Sequence, residues 1–201
     1  MNTVKRPLTG TLIGLITAVY IVGNGINFFG TQLLNPVFPN LFQYLELFRD
    51  ATYTNGGALH GVANGEWWRL ITVALTHASL IHLASNMFCL WSVGPAVERF
   101  FGEMRAAIIF IVSLLCGSLF SVFTAAPNQV SVGASGAIFG LFGALFVFMR
   151  KARMNYQSIV STIVLNLVIT FSIPGIDWHA HIGGLVGGAA SAYLLMFSKR
   201  T

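Results

Sequence analysis

Four polar side chains in otherwise apolar stretches are of types that could do chemistry together. Ser135 carries a hydroxyl that becomes a nucleophile when an imidazole within about 2.6–3.2 Å takes its proton, and His181 could supply that imidazole. His82 and Asn86 could donate hydrogen bonds to the negative oxygen that such an attack creates. They lie in three stretches: HLASN at 82–86, GASG at 133–136 and AHIGGLVGG at 180–188.

Each of these stretches also has a purely structural interpretation. A histidine or asparagine inside a membrane often only makes a hydrogen bond between helices. Glycines at spacings of three and four form a stripe along which two helices can pack closely. One such stripe lies on both sides of Ser135 in the sequence and consists of Gly133, Gly136, Gly140 and Gly143. A second stripe, Gly184 and Gly188, follows His181. Both interpretations can hold if the glycines bring the reactive groups together.

The composition is that of a membrane protein. The 201 residues are 55% hydrophobic and 8% charged, with a mean hydropathy of +0.75, whereas soluble domains are about one quarter charged. Cys89 and Cys116 both lie in apolar runs, so they indicate core residues, with no disulfide framework or thiolate metal site. We therefore expect the lipid bilayer to be the solvent of this chain.

Six apolar runs of about twenty residues are long enough to cross a hydrocarbon core of roughly 30 Å. The first could be a signal peptide, but its length and the lack of a clear cleavage site favour a retained span. The predicted spans are 10–29, 79–97, 106–125, 130–149, 158–176 and 179–197.

The positive charges orient these spans, since cytoplasmic segments of membrane proteins are enriched in Lys and Arg. With a cytoplasmic N-terminus, only Arg49 and Arg69 lie outside. Both termini are then cytoplasmic, and the net charge of +5 reflects topology and needs no nucleic-acid partner. The inner basic residues are Lys5, Arg6, Arg99, Arg105, Arg150, Lys151, Arg153, Lys199 and Arg200.

The outer segment, about residues 30–78, is too long for a turn and too rich in proline and glycine to span the membrane. We expect Asn40 to cap a short interfacial helix, Trp67 and Trp68 to lie at headgroup level, and Arg69 to anchor the segment through headgroups or backbone carbonyls. Residues 1–201 are interpreted as one membrane domain with no separate soluble domain.

The predicted topology places the four polar groups at a similar depth. Ser135 is expected about five residues inside the outer end of the fourth helix, and His181 two or three residues inside that of the sixth. His82 and Asn86, four residues apart, project from one side of the second helix. The sequence thus predicts one polar site in the outer third of the membrane.

These motifs resemble the rhomboid intramembrane serine proteases, and so do EWWR at 66–69 and GPAVERFFG at 94–102. The resemblance implies an all-α membrane protein, a six-helix bundle with an interfacial helical loop between helices 1 and 2. It also implies a serine endopeptidase that cleaves in or beside transmembrane helices of membrane-protein substrates. Ser135 would be the nucleophile and His181 the general base and acid, without a required aspartate, metal or cofactor.

The resemblance extends to residues around this dyad. His82, Asn86 and the backbone N–H of Ser135 would stabilise the oxyanion. Phe139 falls where many members of the family have a tyrosine that packs on the catalytic imidazole, so packing could survive while a phenolic hydrogen bond could not. Gly133, Gly136, Gly184 and Gly188 would support the dyad. The expected location is a bacterial inner membrane.

Several alternatives stay open at this stage. Asp177, four residues before His181, could complete a Ser-His-Asp triad, and His179 with His181 could bind zinc; both interpretations are disfavoured by position. His60 and His77 are expected to be solvated loop residues. A catalytically inactive rhomboid-like protein that binds transmembrane helices, or a histidine-lined transporter, are the alternative functions.

Overall fold

The computed structural model describes residues 7–28, 31–38, 40–52 and 58–197. Their helices and strands are α1 (Pro7–Asn24), β1 (Ile26–Phe28), β2 (Thr31–Leu34), α2 (Leu41–Leu45), α3 (Arg69–Thr72), α4 (Leu80–Phe101), α5 (Glu103–Thr124), α6 (Ser135–Lys151), α7 (Gln157–Ser172) and α8 (Trp178–Leu195). The six long helices, α1 and α4 to α8, form the predicted bundle.

The central helix of the bundle is α6. Every residue from Gly136 to Leu145 is buried, so this helix is surrounded by protein for almost three turns. Around it, α1, α4 and α5 are each long and apolar enough to cross a membrane, and α7 is a shorter apolar helix. The outer helices expose large apolar side chains, such as Phe88 on α4 and Phe171 on α7. The protein is an integral membrane protein.

Two glycine faces let α8 pack closely against two helices at once. Residues four apart lie about 40° apart around a helix, so the two glycine pairs of GGLVGG form adjoining faces. A Cβ on Gly184 or Gly188 would collide with a backbone carbonyl of α6, that of Gly136 or Gly140. A Cβ on Gly183, on the adjoining face, would lie 2.7 Å from a backbone carbonyl oxygen of α5.

A buried carboxyl group connects α1 to α4. The backbone N–H of Thr9 donates to Glu98 Oε1 at 2.9 Å, and the Thr9 hydroxyl donates to the same oxygen. Gly94 lies one turn before Glu98 and leaves room for the Thr9 side chain. Polar groups inside a membrane require such partners, so this contact fixes how α1 sits on the bundle.

The outer segment contains more structure than the predicted interfacial helix. β2 pairs antiparallel with β1, which lies within the run 10–29 predicted as the first span, so that span ends earlier than predicted, at Asn24; α2 follows β2. The prediction that Asn40 caps α2 is wrong, because its side chain makes no capping hydrogen bond. Leu47 and Ser131 exchange backbone hydrogen bonds of 3.0 and 2.7 Å, which attach the outer segment to the residues just before α6.

A fully buried arginine holds this outer segment together. Arg69 donates to the backbone carbonyls of Gln43 and Glu46 at 2.8 and 2.7 Å, and to the Glu66 carboxylate at 2.6 Å. Of the two anchors predicted for Arg69, headgroups or backbone carbonyls, the structure has the backbone carbonyls. His60 is the partly exposed loop residue that the sequence predicted, with 33% of its side chain exposed, and its Nδ1 lies 2.9 Å from Glu66 Oε1.

The orientation of the bundle in the membrane stays a prediction. Lys5, Arg6, Lys199 and Arg200, which carried much of that argument, lie outside the described residues. Three basic residues that the structure describes are consistent with the predicted orientation. Arg99, Arg105 and Arg150 lie near helix ends, all at the same end of the bundle. Trp67 and Trp68 are exposed at the other end, as expected of residues at headgroup level.

We expect Gly184→Ala to lower stability by about 1–3 kcal/mol, because its Cβ must push α8 away from the Gly136 carbonyl. Thermal unfolding in detergent measures the change. The matched control is Gly14→Ala on an exposed part of α1, where a Cβ meets nothing within 4 Å. Equal unfolding temperatures for the two variants would contradict close packing at Gly184.

We also expect Glu66 to make stability depend on pH. Burial alone raises its pKa, but hydrogen bonds from His60, Arg69 and the Gly61 N–H outweigh burial and lower it from 4.5 to about 2. A lowered folded-state pKa stabilises the protein above the unfolded-state value, so this contribution is lost as pH falls from about 4.5 to about 2.

Glu66→Gln should therefore remove this part of the acid sensitivity and cost about 1.5–3 kcal/mol at pH 7, where the charged partner is lost. Chemical denaturation across that pH range measures both effects. Glu103→Gln, at an exposed position in the first turn of α5, is the control and should keep the wild-type pH dependence. An unchanged pH profile in Glu66→Gln would argue against the ion-paired carboxylate.

Candidate active site

Ser135 is the first residue of α6, which corrects the prediction that it lies five residues inside the helix. Helix formation is blocked before it, because Gly133 has a φ of +109° and its N–H donates to the Val73 carbonyl at 3.0 Å. Ser131 is paired with Leu47 at the same point. Ser135 therefore sits where the backbone N–H groups of a helix lack intrahelical acceptors and the helix dipole is positive.

The structure brings Ser135 and His181 together. The distance between Ser135 Oγ and His181 Nε2 is 2.7 Å, which is within hydrogen-bond range. His181 is the fourth residue of α8, close to the predicted depth, and its side chain is buried. The contact crosses the interface at which Gly136 and Gly184 let the two helix backbones approach.

Phe139 stacks on the imidazole from one turn deeper in α6. The ring centroids of Phe139 and His181 lie 4.3 Å apart with an interplanar angle of 14°. Packing on the imidazole is therefore present with phenylalanine at this position. The side chain is buried, so the stacked face of His181 is shielded from polar groups.

The second ring nitrogen of His181 has a partner that the sequence did not reveal. Its Nδ1 lies 2.8 Å from Thr170 Oγ1, near the end of α7. Thr170 lies two residues before the outer end of that helix, so the depth comparison used for the other four polar residues could have found it. Thr170 also ends a polar stripe at every fourth residue of α7, formed with Ser158, Thr162 and Asn166, and this spacing is a second signal that could have found it.

His82 and Asn86 lie on α4 beside the start of α6. The His82 ring packs on Gly133, where a Cβ would lie 2.9 Å from Cε1 and 3.0 Å from Nε2. Asn86 Nδ2 donates to the His82 carbonyl at 3.1 Å, which ties the two residues to one helix face. Only a glycine leaves this space between His82 and the loop that leads to Ser135.

His77 is fully buried, so the expectation that it is a solvated loop residue is wrong. Its ring centroid lies 5.0 Å from that of His82, and among the described residues neither ring nitrogen has a hydrogen-bond partner. Burial, and secondarily the neighbouring His82, lowers the pKa of His77 to about 3, so its imidazole is neutral at pH 7. It packs edge-on against His82, and a Cβ on Gly133 would lie 3.8 Å from its Cδ2.

Asp177 and His179 do not contact the imidazole of His181. Asp177 caps α8 by accepting from the Ala180 N–H at 3.1 Å, and its other oxygen accepts from the Ser121 hydroxyl at 2.6 Å. His179 turns to the opposite side, with Nδ1 2.6 Å from Thr124 Oγ1. The described residues contain no group of three His, Cys, Asp or Glu that could hold a metal ion.

A small cavity of about 10 Å³ borders Ser135, enough for about one water molecule. Ser118 and Ser131 contribute polar groups to its lining, and Leu47 and Val73 contribute apolar ones. The cavity lies between the outer segment and the start of α6. Water could thus be accommodated beside the hydroxyl in a site that is otherwise closely packed.

Comparison with known proteins identifies the family. Residues 64–198 match the family model of the rhomboid domain. The rhomboid protease GluP of Bacillus subtilis strain 168 is 43% identical over 144 residues, which are 69% of this chain and 28% of that protein. YdcA of the same strain, provisionally named a rhomboid protease, is 38% identical over 69% of this chain and 72% of its own length.

Not every relative is described as active. The Inactive RHOMBOID-like protein 8 of Arabidopsis thaliana is 36% identical over 68% of this chain and 40% of that protein. The chain thus spans less than half the length of GluP and of this plant relative. The matched domain covers more than half of the chain and contains all four polar residues from which the site was inferred. The chain belongs to the rhomboid family.

Proposed function

We propose that this chain is an intramembrane serine endopeptidase that cleaves peptide bonds in or next to transmembrane helices of membrane-protein substrates. The observation that carries the proposal is the 2.7 Å contact between Ser135 Oγ and His181 Nε2. Membership of a family that includes a named protease supports it. The reaction needs only groups that this chain supplies, together with water.

The first half of the reaction transfers the substrate's acyl group to the enzyme. His181 Nε2 takes the hydroxyl proton while Ser135 Oγ attacks the scissile carbonyl carbon, and the C=O electron pair moves to oxygen. The imidazolium then gives its proton to the leaving amine nitrogen as the C–N bond breaks. The products are an acyl ester on Ser135, a free amine and a neutral His181.

The negative oxygen of the intermediate forms beside the N-terminus of α6. The Ser135 N–H lacks an intrahelical acceptor and can donate to this oxygen, as can the side chains of His82 and Asn86 on the neighbouring helix. In a poorly solvated site each donor can contribute roughly 3–4 kcal/mol to transition-state stability. The helix dipole favours the same charge.

Hydrolysis of the acyl ester requires water inside the membrane. The cavity beside Ser135 has room for about one molecule, and it borders the outer segment, through which the outer aqueous face would connect. His181 Nε2 takes a proton from this water as its oxygen bonds to the acyl carbon, and the imidazolium then gives that proton to Ser135 Oγ as the ester C–O bond breaks, which releases the acid and restores Ser135.

The substrate must unwind locally before it can be cleaved. A transmembrane helix satisfies all its backbone hydrogen bonds internally, so none of its carbonyls is accessible until the helix opens. Helix-weakening residues near the cleaved bond should therefore favour cleavage. The outer segment and α7 border the site and are the elements through which such a substrate would enter.

An alternative from another class is an inactive rhomboid-like protein that binds transmembrane helices. The relative named as inactive is 36% identical to this chain, so a rhomboid-like protein without activity occurs at this similarity. This chain has both Ser135 and His181 in contact, which favours the enzyme. A histidine-lined transporter is disfavoured because His181 is packed among Ser135, Phe139 and Thr170, and the cavity beside Ser135 has room for about one water molecule.

The decisive test is cleavage of a model single-span substrate by purified protein in proteoliposomes. Ser135→Ala and His181→Ala should each lower kcat by more than about 10³-fold, because either change removes one half of the nucleophile–base pair. Ser92→Ala, an exposed serine on α4, is the matched control and should cleave at the wild-type rate. Equal cleavage by wild type and Ser135→Ala would exclude the serine mechanism.

Phe139 provides a second test, because it holds the imidazole by stacking alone. Phe139→Tyr keeps the stacked ring and should retain wild-type kcat within about threefold. Phe139→Leu removes the ring and should lower kcat by about 10–100-fold, since small displacements of a catalytic group are costly. Steady-state kinetics on the same substrate measure both, and a leucine variant as active as wild type would show that stacking is dispensable.

A further inference from the structure

We propose that Thr170 is a positioning residue that fixes the tautomer and orientation of His181 through the bond between Thr170 Oγ1 and His181 Nδ1. The inference rests on the proposed function, in which Nε2 of the same ring is the proton acceptor. Asp177 is unavailable for this task, because its carboxylate is taken up by the N-terminus of α8 and by Ser121. The nitrogen that an aspartate would hold in a triad is held here by a threonine.

The number of hydrogens on the Thr170 hydroxyl determines which group donates in the bond between Thr170 and His181. A threonine hydroxyl has one hydrogen, and Thr170 donates it to the Asn166 carbonyl at 2.7 Å. The oxygen can then only accept from His181 Nδ1, which lies 2.8 Å away. Nδ1 must therefore carry the ring hydrogen, so Nε2 presents its lone pair to Ser135 Oγ at 2.7 Å. This is the tautomer that a general base requires.

Burial makes this assignment stable. Thr170 is 4% exposed and His181 is 6% exposed, so water does not compete for either group. In such surroundings a hydrogen bond is electrostatically stronger than in water, and the other tautomer would require the Thr170 hydroxyl to give up its bond to the Asn166 carbonyl in order to donate to Nδ1. The threonine thus selects one tautomer and also holds the ring plane against Phe139.

The position of Thr170 on α7 is itself informative. In this helix only Ile159 and Thr170 are buried, and Thr170 lies near the outer end, where the site is. A threonine that faced lipid could satisfy its hydroxyl with a backbone carbonyl and would need no burial. Thr170 makes that backbone bond and, in addition, directs its remaining lone pairs at the imidazole.

A second threonine–histidine pair offers an internal control. Thr124 Oγ1 donates to the Phe120 carbonyl at 2.5 Å and lies 2.6 Å from His179 Nδ1. The local chemistry is the same as at Thr170, but His179 faces Trp178, with ring centroids 3.8 Å apart, and not Ser135. Removing this hydroxyl should change a tautomer without changing the reaction.

The kinetic arm compares Thr170→Val, Thr170→Ser and Thr124→Val. Thr170→Val keeps the shape and removes the acceptor, so kcat should fall about 10–100-fold with KM within about twofold. Thr170→Ser restores a hydroxyl and should recover kcat to within about threefold of wild type. Thr124→Val should cleave as wild type does. Loss of kcat in both Thr170 variants, or in the Thr124 variant to the same extent, would mean that the role is only structural.

The second arm does not depend on proteolysis. Long-range ¹H–¹⁵N spectra of ¹⁵N-histidine-labelled protein in detergent report which ring nitrogen is protonated, and His181→Ala identifies the His181 signals. We expect the Nδ1–H tautomer in wild type and Thr170→Ser, and a shift toward Nε2–H in Thr170→Val. An unchanged His181 tautomer in Thr170→Val would overturn the proposal, even if the protein cleaves. If no substrate is cleaved, the proposed function fails while this readout still decides the role of Thr170.

Discussion

The close approach of α6 and α8 is the contact on which the site depends. Gly184 lies against the Gly136 carbonyl and Gly188 against that of Gly140, so no side chain separates the two backbones. A serine side chain is only two atoms long, and an imidazole on an ordinary helix pair, with axes about 8–10 Å apart, would not be held against it so directly. The glycines are thus the reason that Ser135 and His181 meet at hydrogen-bond distance.

The outer segment determines where α6 begins, and so where its hydroxyl is presented. Ser131 pairs with Leu47 and Gly133 with Val73, so the helix cannot extend to residues before Ser135. If it did, the Ser135 N–H would donate to a carbonyl of its own helix and could not stabilise an oxyanion. Arg69 holds that segment in place through backbone carbonyls. The position of Ser135 is therefore set by two contacts: the packing of α6 on α8 on one side, and the hydrogen-bonded loop before α6 on the other.

The sequence predicted the bundle and a shared polar site because both leave signals along the chain, and the resemblance to the rhomboid family supplied the roles of Ser135 and His181. Apolar runs reveal spans, glycine spacings reveal close contacts, and polar residues at equal depth reveal a shared site. The start of α6 could not be read in this way, since it depends on Gly133 pairing with Val73, sixty residues earlier. The burial of His77, in the loop before α4, and the partnership of Thr170 with His181 are contacts between separate segments of the chain, and the spacing of residues within one segment does not encode which segments meet. The same limit applies to the pairing of β1 with β2.

The neighbours of His181 show why nearness in sequence is a poor guide to a catalytic partner. Asp177 lies only four residues before His181, but it is the N-cap of α8. Its carboxylate accepts from the Ala180 N–H and the Ser121 hydroxyl. Thr170 is reached only through the loop between α7 and α8, and its hydroxyl carries no charge. A carboxylate against the imidazole would have to be desolvated within the membrane, which costs several kcal/mol unless it is fully paired. A neutral acceptor orients the same nitrogen without that cost, so a dyad with a threonine behind it suits a site whose solvent is lipid.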